Sequence, residues 1–281
     1  MPDASRAPSA VVTTVRQPRA EGRVEIATKA TPAGARLARL RHQGSAKCLM
    51  PRLPGPPQGV IVNTAGGITG GDRFAWTAEA GPGAALTLTT QAAERLYRAR
   101  PGEVATVATR LSARAGATLA WLPQETILYD RAAVERRLDI EMAADARVVL
   151  CEPLILGRAA MGETVESAHF VDRWTVRRAG RLVFADTLRL SGPVAGIAAR
   201  PAVFGPHRAA ASLLLVAPDA EDRLAAARAA LPFDDHAEGG ASAWDGMLAA
   251  RVLARDGRRL RGVLTALLAA LGAPLPRVWT F

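Results

Sequence analysis

The chain has 281 residues, is 49% hydrophobic and 22% charged, and carries a formal charge of +10 at pH 7. That balance excludes wholesale disorder, and no run approaches the ~18 consecutive apolar residues of a membrane-spanning helix. Two cysteines, Cys48 and Cys151, cannot build a disulfide framework, and no Cys-x-x-Cys zinc signature exists, which predicts a protein of the reducing cytoplasm. Among the basic residues only Lys29 and Lys47 are lysine, and the arginines are scattered rather than clustered. The charge therefore reads first as an Arg- and Ala-rich composition bias, and second as a fit to acidic protein surfaces.

Residues 1–20 lack a long apolar run and are expected to be a disordered lead rather than a secretory signal; residues 21–281 are expected to form one domain. From Arg23 to Leu190 the dominant hydrophobic period is two, so the chain is read as mainly β. Val24-Glu25-Ile26 and Ala117–Trp121 alternate in this way. In Arg137–Met142, Leu138, Ile140 and Met142 share one face, which predicts a half-buried antiparallel strand. Residues Pro51–Pro57 read as a surface loop. The turns Pro82-Gly83, Pro101-Gly102, Ala115-Gly116 and Ala179-Gly180 punctuate the strands as in a sandwich or β-solenoid, although no fixed-period repeat is visible. Residues His169–Leu190 form the clearest hairpin. A three-residue loop at Ala179–Arg181, with Gly180 at positive φ, would place Val176 opposite Phe184.

Helices are expected to be few. Leu260, Val263, Leu264, Leu267, Leu268 and Leu271 mark an amphipathic helix between Asp256-Gly257 and Gly272. A second is expected from Asp219 or Glu221 to about Leu231, and a helical turn within Gly157–Glu163. Residues Phe233–Ser242 read as a mobile loop.

Three segments hold candidate chemistry. In Asn63-Thr-Ala-Gly-Gly-Ile-Thr-Gly-Gly-Asp-Arg73, glycines 66, 67, 70 and 71 allow positive φ and close backbone approach. Asp72-Arg73 stands where a phosphate loop needs Lys-Ser/Thr, and a strand rather than a helix follows. The loop is then either a tight strand connection or a pre-shaped backbone holding Asp72 at a pore or interface. Glu125 interrupts the apolar Trp121–Tyr129 run and reads as an edge or exposed carboxylate. Arg158 and Glu163 read as a close pair among small residues, or as a surface salt bridge of little energy. No Gly-x-Ser-x-Gly or His-Glu-x-x-His motif exists, and His42, His169, His207 and His236 are isolated in sequence.

In this order NTAGGITGGDRF, LTTQAAERLYRA, WLPQETILYD and LGRAAMGE resemble the UreD (UreH) urease accessory protein family. The resemblance runs from about Arg23 past Leu190 and returns in the C-terminal helix. It implies a mainly β, helicoid-like stack of antiparallel or mixed strands with about two α-helices in the C-terminal third. It also implies a non-enzymatic maturation factor that binds urease apoprotein with UreF and the GTPase UreG and conducts nickel to the urease active site. No tightly bound cofactor, nucleic acid or membrane is implied, only a transient nickel ion. Asp72 and Glu163 match the family's acidic positions as candidate nickel-path residues, with Glu125 a weaker third. Widely spaced carboxylates would hold nickel loosely enough to release it. Two other classes are a small-molecule hydrolase using the 63–73 loop, which needs a nucleophile–base pair, and a basic nucleic-acid-binding β protein, which needs clustered Arg and exposed aromatics.

Overall fold

A strand with one apolar face must bury that face against another layer, and here the layer is a second sheet built by the same winding chain. The computed structural model describes residues 18–280. Residues 1–17 of the expected lead lie outside the described residues, while Arg19 and Ala20 are already tied to the folded unit. In chain order the strands are β1 (Glu21–Thr31), β2 (Gly34–Gly44), β3 (Ala46–Leu49), β4 (Gln58–Asn63), β5 (Arg73–Ala80), β6 (Ala85–Thr90), β7 (Glu94–Leu96), β8 (Ala105–Ala113) and β9 (Thr118–Trp121). They continue with β10 (Thr126–Leu128), β11 (Ala133–Met142), β12 (Arg147–Leu156), β13 (Ala168–Arg178) and β14 (Arg181–Gly192). The C-terminal third adds α1 (Val194–Ala198), β15 (Ala209–Val216), α2 (Leu224–Ala229), β16 (Phe233–Asp234), β17 (Ala237–Trp244), β18 (Met247–Ala254) and α3 (Gly257–Ala270).

The first sheet runs β14-β13-β11-β8-β5-β1-β2; the second runs β16-β17-β18-β15-β12-β9-β6-β4-β3, with β10 beside β12 and β7 beside β10. From β4 to β13 the chain alternates between the two. In each sheet the strands so produced lie parallel, β5-β8-β11-β13 in one and β4-β6-β9-β12 in the other. Antiparallel strands close the ends. The protein is thus mainly β with mixed sheets, as the period-two pattern and the family resemblance predict.

The winding stacks equivalent side chains although the sequence has no repeat. Ile68 bridges Leu96, Leu96 pairs with Leu128 and Leu128 pairs with Leu156, all in parallel register and all buried. The facing inner rows of the sheets, including Phe170, Ile140, Leu150 and Leu119, fill one core. The back of the second sheet forms another core against α3, whose Leu260, Val263, Leu264, Leu267 and Leu268 are buried as their spacing predicts. Asp256 caps α3 by accepting from Arg259 N–H at 2.8 Å.

Several expectations change in detail. Residues 137–142 lie in β11, which runs parallel to both neighbours, not antiparallel. Its alternation arises because the outer face of the first sheet is solvated, a situation usual for antiparallel sheets. The β13–β14 hairpin turns on two residues, Ala179 (φ 51°) and Gly180 (φ 78°), not three. Val176 still pairs with Phe184, because a bulge beyond Val176 supplies the shift expected of the loop. Residues 233–242 are not a mobile loop but lie largely in β16 and β17, paired to each other and to β18. Their inward positions Ala237 and Ala241 are small, so the alternation carries little hydrophobic contrast. The second helix is a 3-10 turn, Glu221–Arg223, leading into α2, and the expected turn within 157–163 is a 3-10 turn at Ala159–Met161.

If the stacked corner carries the winding, Leu128→Ala should cost about 2–5 kcal/mol, because the site has ladder neighbours on both sides and cannot collapse freely. Urea denaturation of the variant against the unchanged chain measures this.

Candidate functional site

The four motifs occupy one corner of successive coils. Ile68, Leu96, Leu128 and Leu156, one from each, are the four rungs of the ladder just described. The residues beyond the rungs continue the stack at the surface. Tyr97 meets Tyr129 edge to face with centroids 5.2 Å apart, and the Arg158 guanidinium lies 4.6 Å from the Tyr129 ring centre.

The glycine loop closes the first of these corners. Asn63 Oδ1 accepts from Ala65 N–H at 2.9 Å, and its Nδ2 donates to Gly67 O at 3.0 Å. Gly66, Gly67 and Gly71 have φ of 80°, 153° and 87°. A Cβ on Gly67 would sit 2.3 Å from the Tyr97 ring and 2.8 Å from Arg95 O, whereas one on Gly66 would meet open space. Gly70 needs no positive φ but has no room, with Glu103 O 2.8 Å from its would-be Cβ. Asp72 is buried, and its two oxygens accept from Ala20 N–H and Thr69 N–H, each at 2.8 Å. It ties the start of β1 to the loop.

Glu163 plays the same part at the fourth corner. It accepts from Arg158 Nε at 2.7 Å, Arg158 N–H at 3.0 Å and Asp130 N–H at 3.2 Å. The Arg158 hydrogen bond holds its pKa below the usual carboxylate range. Glu125 is not the exposed or edge-strand carboxylate expected; it lies in the β9–β10 connection, 2.6 Å from Arg261 on α3. Arg261 also stacks near Trp279, whose Nε1 donates to Leu122 O, so this pair fastens the C-terminal segment. Asp72, Glu125 and Glu163 are thus each occupied by backbone or arginine donors.

The acidic groups that face open space lie elsewhere, between the sheets. A cavity of ≈ 130 Å³ walled by Asn63, Glu94 and Trp76 adjoins one of ≈ 50 Å³ that shares Glu94 and Trp76. The second shares Arg136, Glu152 and Asp172 with a third of ≈ 150 Å³. The third shares Trp174, Asp186, Ser212 and Arg251 with a fourth of ≈ 460 Å³. None of Asp72, Glu125 and Glu163 lines any of the four.

At the middle of this file Arg136 contacts Glu152 at 2.7 Å and Asp172 at 2.5 Å, and these three side chains are 13%, 9% and 7% exposed. Trp121 Nε1 donates to Glu152 at 2.7 Å, and Arg136 donates to Thr126 Oγ1 at 3.0 Å. Two carboxylates against one guanidinium leave a negative excess when both are ionised. Burial pushes the Glu152 pKa up, which Arg136 only partly offsets. Burial likewise pushes Glu94 up to about 7, against the hydrogen bond from Asn63 Nδ2 at 3.2 Å.

Sequence reasoning passed over Glu94, Arg136, Glu152 and Asp172. For three of them a signal existed. Arg136 interrupts the apolar set Val134, Leu138, Ile140; Glu152 interrupts Leu150, Leu154, Leu156; Asp172 interrupts Phe170, Trp174, Val176. A charge in phase with the buried face must point into the core.

A nucleophile–base pair of the kind a hydrolase needs does occur. Ser191, His169 and Glu135 form a hydrogen-bonded row, Oγ to Nδ1 at 3.0 Å and Nε2 to Oε1 at 3.1 Å. It lies on the first sheet, and none of its residues lines the four cavities, nor does it involve the 63–73 loop. Among the described residues no group of three or more His, Cys, Asp or Glu is placed to hold a metal ion, and no helix is long and apolar enough to cross a membrane.

These features define the class: a helically wound two-sheet β protein whose motif loops build one corner and whose interior carries charge. The family model for the UreD urease accessory protein matches residues 20–280. The chain is 47% identical over 272 residues to the urease accessory protein UreD of Rhizobium leguminosarum bv. viciae, covering 96% of this chain and 98% of that one. It is 50% identical over 262 residues to the UreD of Xanthobacter autotrophicus, covering 93% and 90%. It is 48% identical over 271 residues to the UreD of a Methylobacterium species, covering 94% and 96%. The chain belongs to the UreD urease accessory protein family.

Three outcomes follow from this geometry. Gly66→Ala should lose about 1–2 kcal/mol from its positive φ alone, and Gly67→Ala should lose more because it also strikes Tyr97 and Arg95; thermal denaturation ranks the two. Asp72→Ala should cost about 1–3 kcal/mol by leaving two N–H groups without acceptors, measured by urea titration. Glu94 binds its proton more tightly folded, at about 7, than at its ordinary 4.5, so its contribution to stability falls as pH rises between those values and is lowest above 7. Glu94→Gln should flatten that slope in melts taken from pH 5 to 8.

Proposed function

We propose that this chain is a scaffold, not an enzyme, that binds urease apoprotein together with UreF and UreG in the cytoplasm and passes nickel toward the urease active site. The observation that carries this reading is the file of adjoining cavities between the sheets, with Glu94 at one station and the Arg136–Glu152–Asp172 cluster at the next. A cation in transit needs negative charge that attracts it and ligation weak enough to let it go. Carboxylates supply weaker divalent transition-metal ligation than imidazole or thiolate. Arg136 holds Glu152 and Asp172 apart from full negative charge, so a passing ion meets a partly neutralised site rather than a trap. Polar walls also spare the ion the desolvation that a dry core would impose.

In this reading Asp72 and Glu163 serve by shaping the motif corner, and the transit role expected of them falls to Glu94, Glu152 and Asp172. Nickel is cargo here, and no tightly bound cofactor is needed.

The test is co-expression with UreF, UreG and the urease subunits. Glu152→Gln keeps shape and removes one of the two charges, while Asp172 still pairs with the buried Arg136. This variant should leave co-purification with UreF and apo-urease intact and lower both urease nickel content and activity, by roughly tenfold or more if Glu152 is a station. Full activation by this variant would remove the conduit from the reading. Absence of any association of the unchanged chain with UreF or apo-urease would remove the scaffold.

A further inference from the structure

We propose that β2 is a strand-addition site for an acidic, extended segment of a partner protein. β2 is an edge strand of the first sheet: β1 pairs with one side, and among the described residues no backbone group pairs with the other. It is 11 residues long, and only Ala35 and Leu40 are even partly buried. A strand alternates its N–H and C=O pairs between its two sides, so the outer side presents a row of free donors and acceptors.

The side chains define what would fit. Leu37 and Leu40 pair with Thr28 and Ile26 on the core-facing side, yet Leu37 is 41% exposed. β3, the edge of the second sheet, lies against β2. Leu37 leaves apolar surface open beside the free edge of β2. The same strand carries Arg36, Arg39 and Arg41, and no carboxylate is ion-paired with any of them among the described residues. Lys29 stands directly opposite Arg36 in the ladder, a like-charge pair that an added acidic strand would relieve.

Charge also selects among occupants. A second copy pairing antiparallel through β2 would set these arginines against their own symmetry mates. A nucleic acid would find no Phe, Tyr or Trp on β1 or β2 to stack against, only the single imidazole of His42. An acidic strand satisfies the backbone row, the leucines and the arginines at once.

The experiment uses the full chain and a fluorescein-labelled nonapeptide of alternating Glu and Val, read by fluorescence anisotropy. The acidic peptide should bind. A Lys/Val peptide, and an acidic peptide N-methylated at alternate residues on one edge, should each bind roughly tenfold more weakly, since one loses charge complementarity and the other the main-chain bonds. Arg39→Glu with Arg41→Glu, both exposed positions that leave the core untouched, should weaken the acidic peptide and strengthen the Lys/Val peptide. Amide exchange over residues 35–43 should slow on binding. Equal binding of the N-methylated peptide would replace strand addition with simple charge attraction and overturn the proposal. Binding unaffected by the arginine reversals would place it elsewhere. A concentration-dependent dimer abolished by Leu37→Lys would make a second copy the occupant. No binding of the acidic peptide at all would mean that the arginines merely guard the edge.

Discussion

The structure depends on parallel register between successive coils. Each pass of the chain lays one strand in each sheet, and each strand is aligned by hydrogen bonds to the strand one coil earlier. Ile68, Leu96, Leu128 and Leu156 are the visible consequence: four residues far apart in sequence form one apolar column. A slip of one residue in any coil would send its whole inward row to solvent, so the column and the two facing sheets enforce each other. The antiparallel hairpins at either end then close what the winding leaves open.

That constraint explains why acidic residues in the motif loops serve architecture. A coil must turn a corner between sheets, and the corner's backbone N–H groups lie outside any ladder. Asp72 and Glu163 accept those donors, each with short-range geometry that a carboxylate satisfies better than a neutral group. The glycines of the first corner serve the same end, Gly67 by yielding space to Tyr97 and Gly71 by its φ of 87°. Motif residues and interior charges therefore divide the work, one set holding the winding and the other lining the space it encloses.

The interior charges are costly to keep. Arg136, Glu152 and Asp172 sit where apolar side chains would pack at least as stably, since replacing a buried ion cluster by hydrophobes is often neutral or favourable. Arg136 and Asp172 pair across β11 and β13 of the first sheet, and Glu152 meets them from β12 of the second, so the cluster bridges the two sheets around adjoining cavities. Glu94, set apart from them and held by Asn63 of the glycine loop, lines both the cavity beside the cluster and the one beside the motif corner.

The sequence by itself determined the mainly β class, through period-two alternation; the amphipathic α3, through its leucine spacing; the positive φ of Gly180; and family membership, through four collinear motifs. These are local properties, or strings of residues that can be compared directly. Only the tertiary structure decided that the strands wind in parallel, because alternation records which faces are wet and not the direction of the neighbouring strand. It alone showed β16 and β17, because the alanines and glycines of β17 carry almost no hydrophobic contrast. It alone brought Glu94, Arg136, Glu152 and Asp172 to one internal file. Strand phase could mark three of them as inward, but their meeting depends on the register between coils, which hydrogen bonding between distant segments sets.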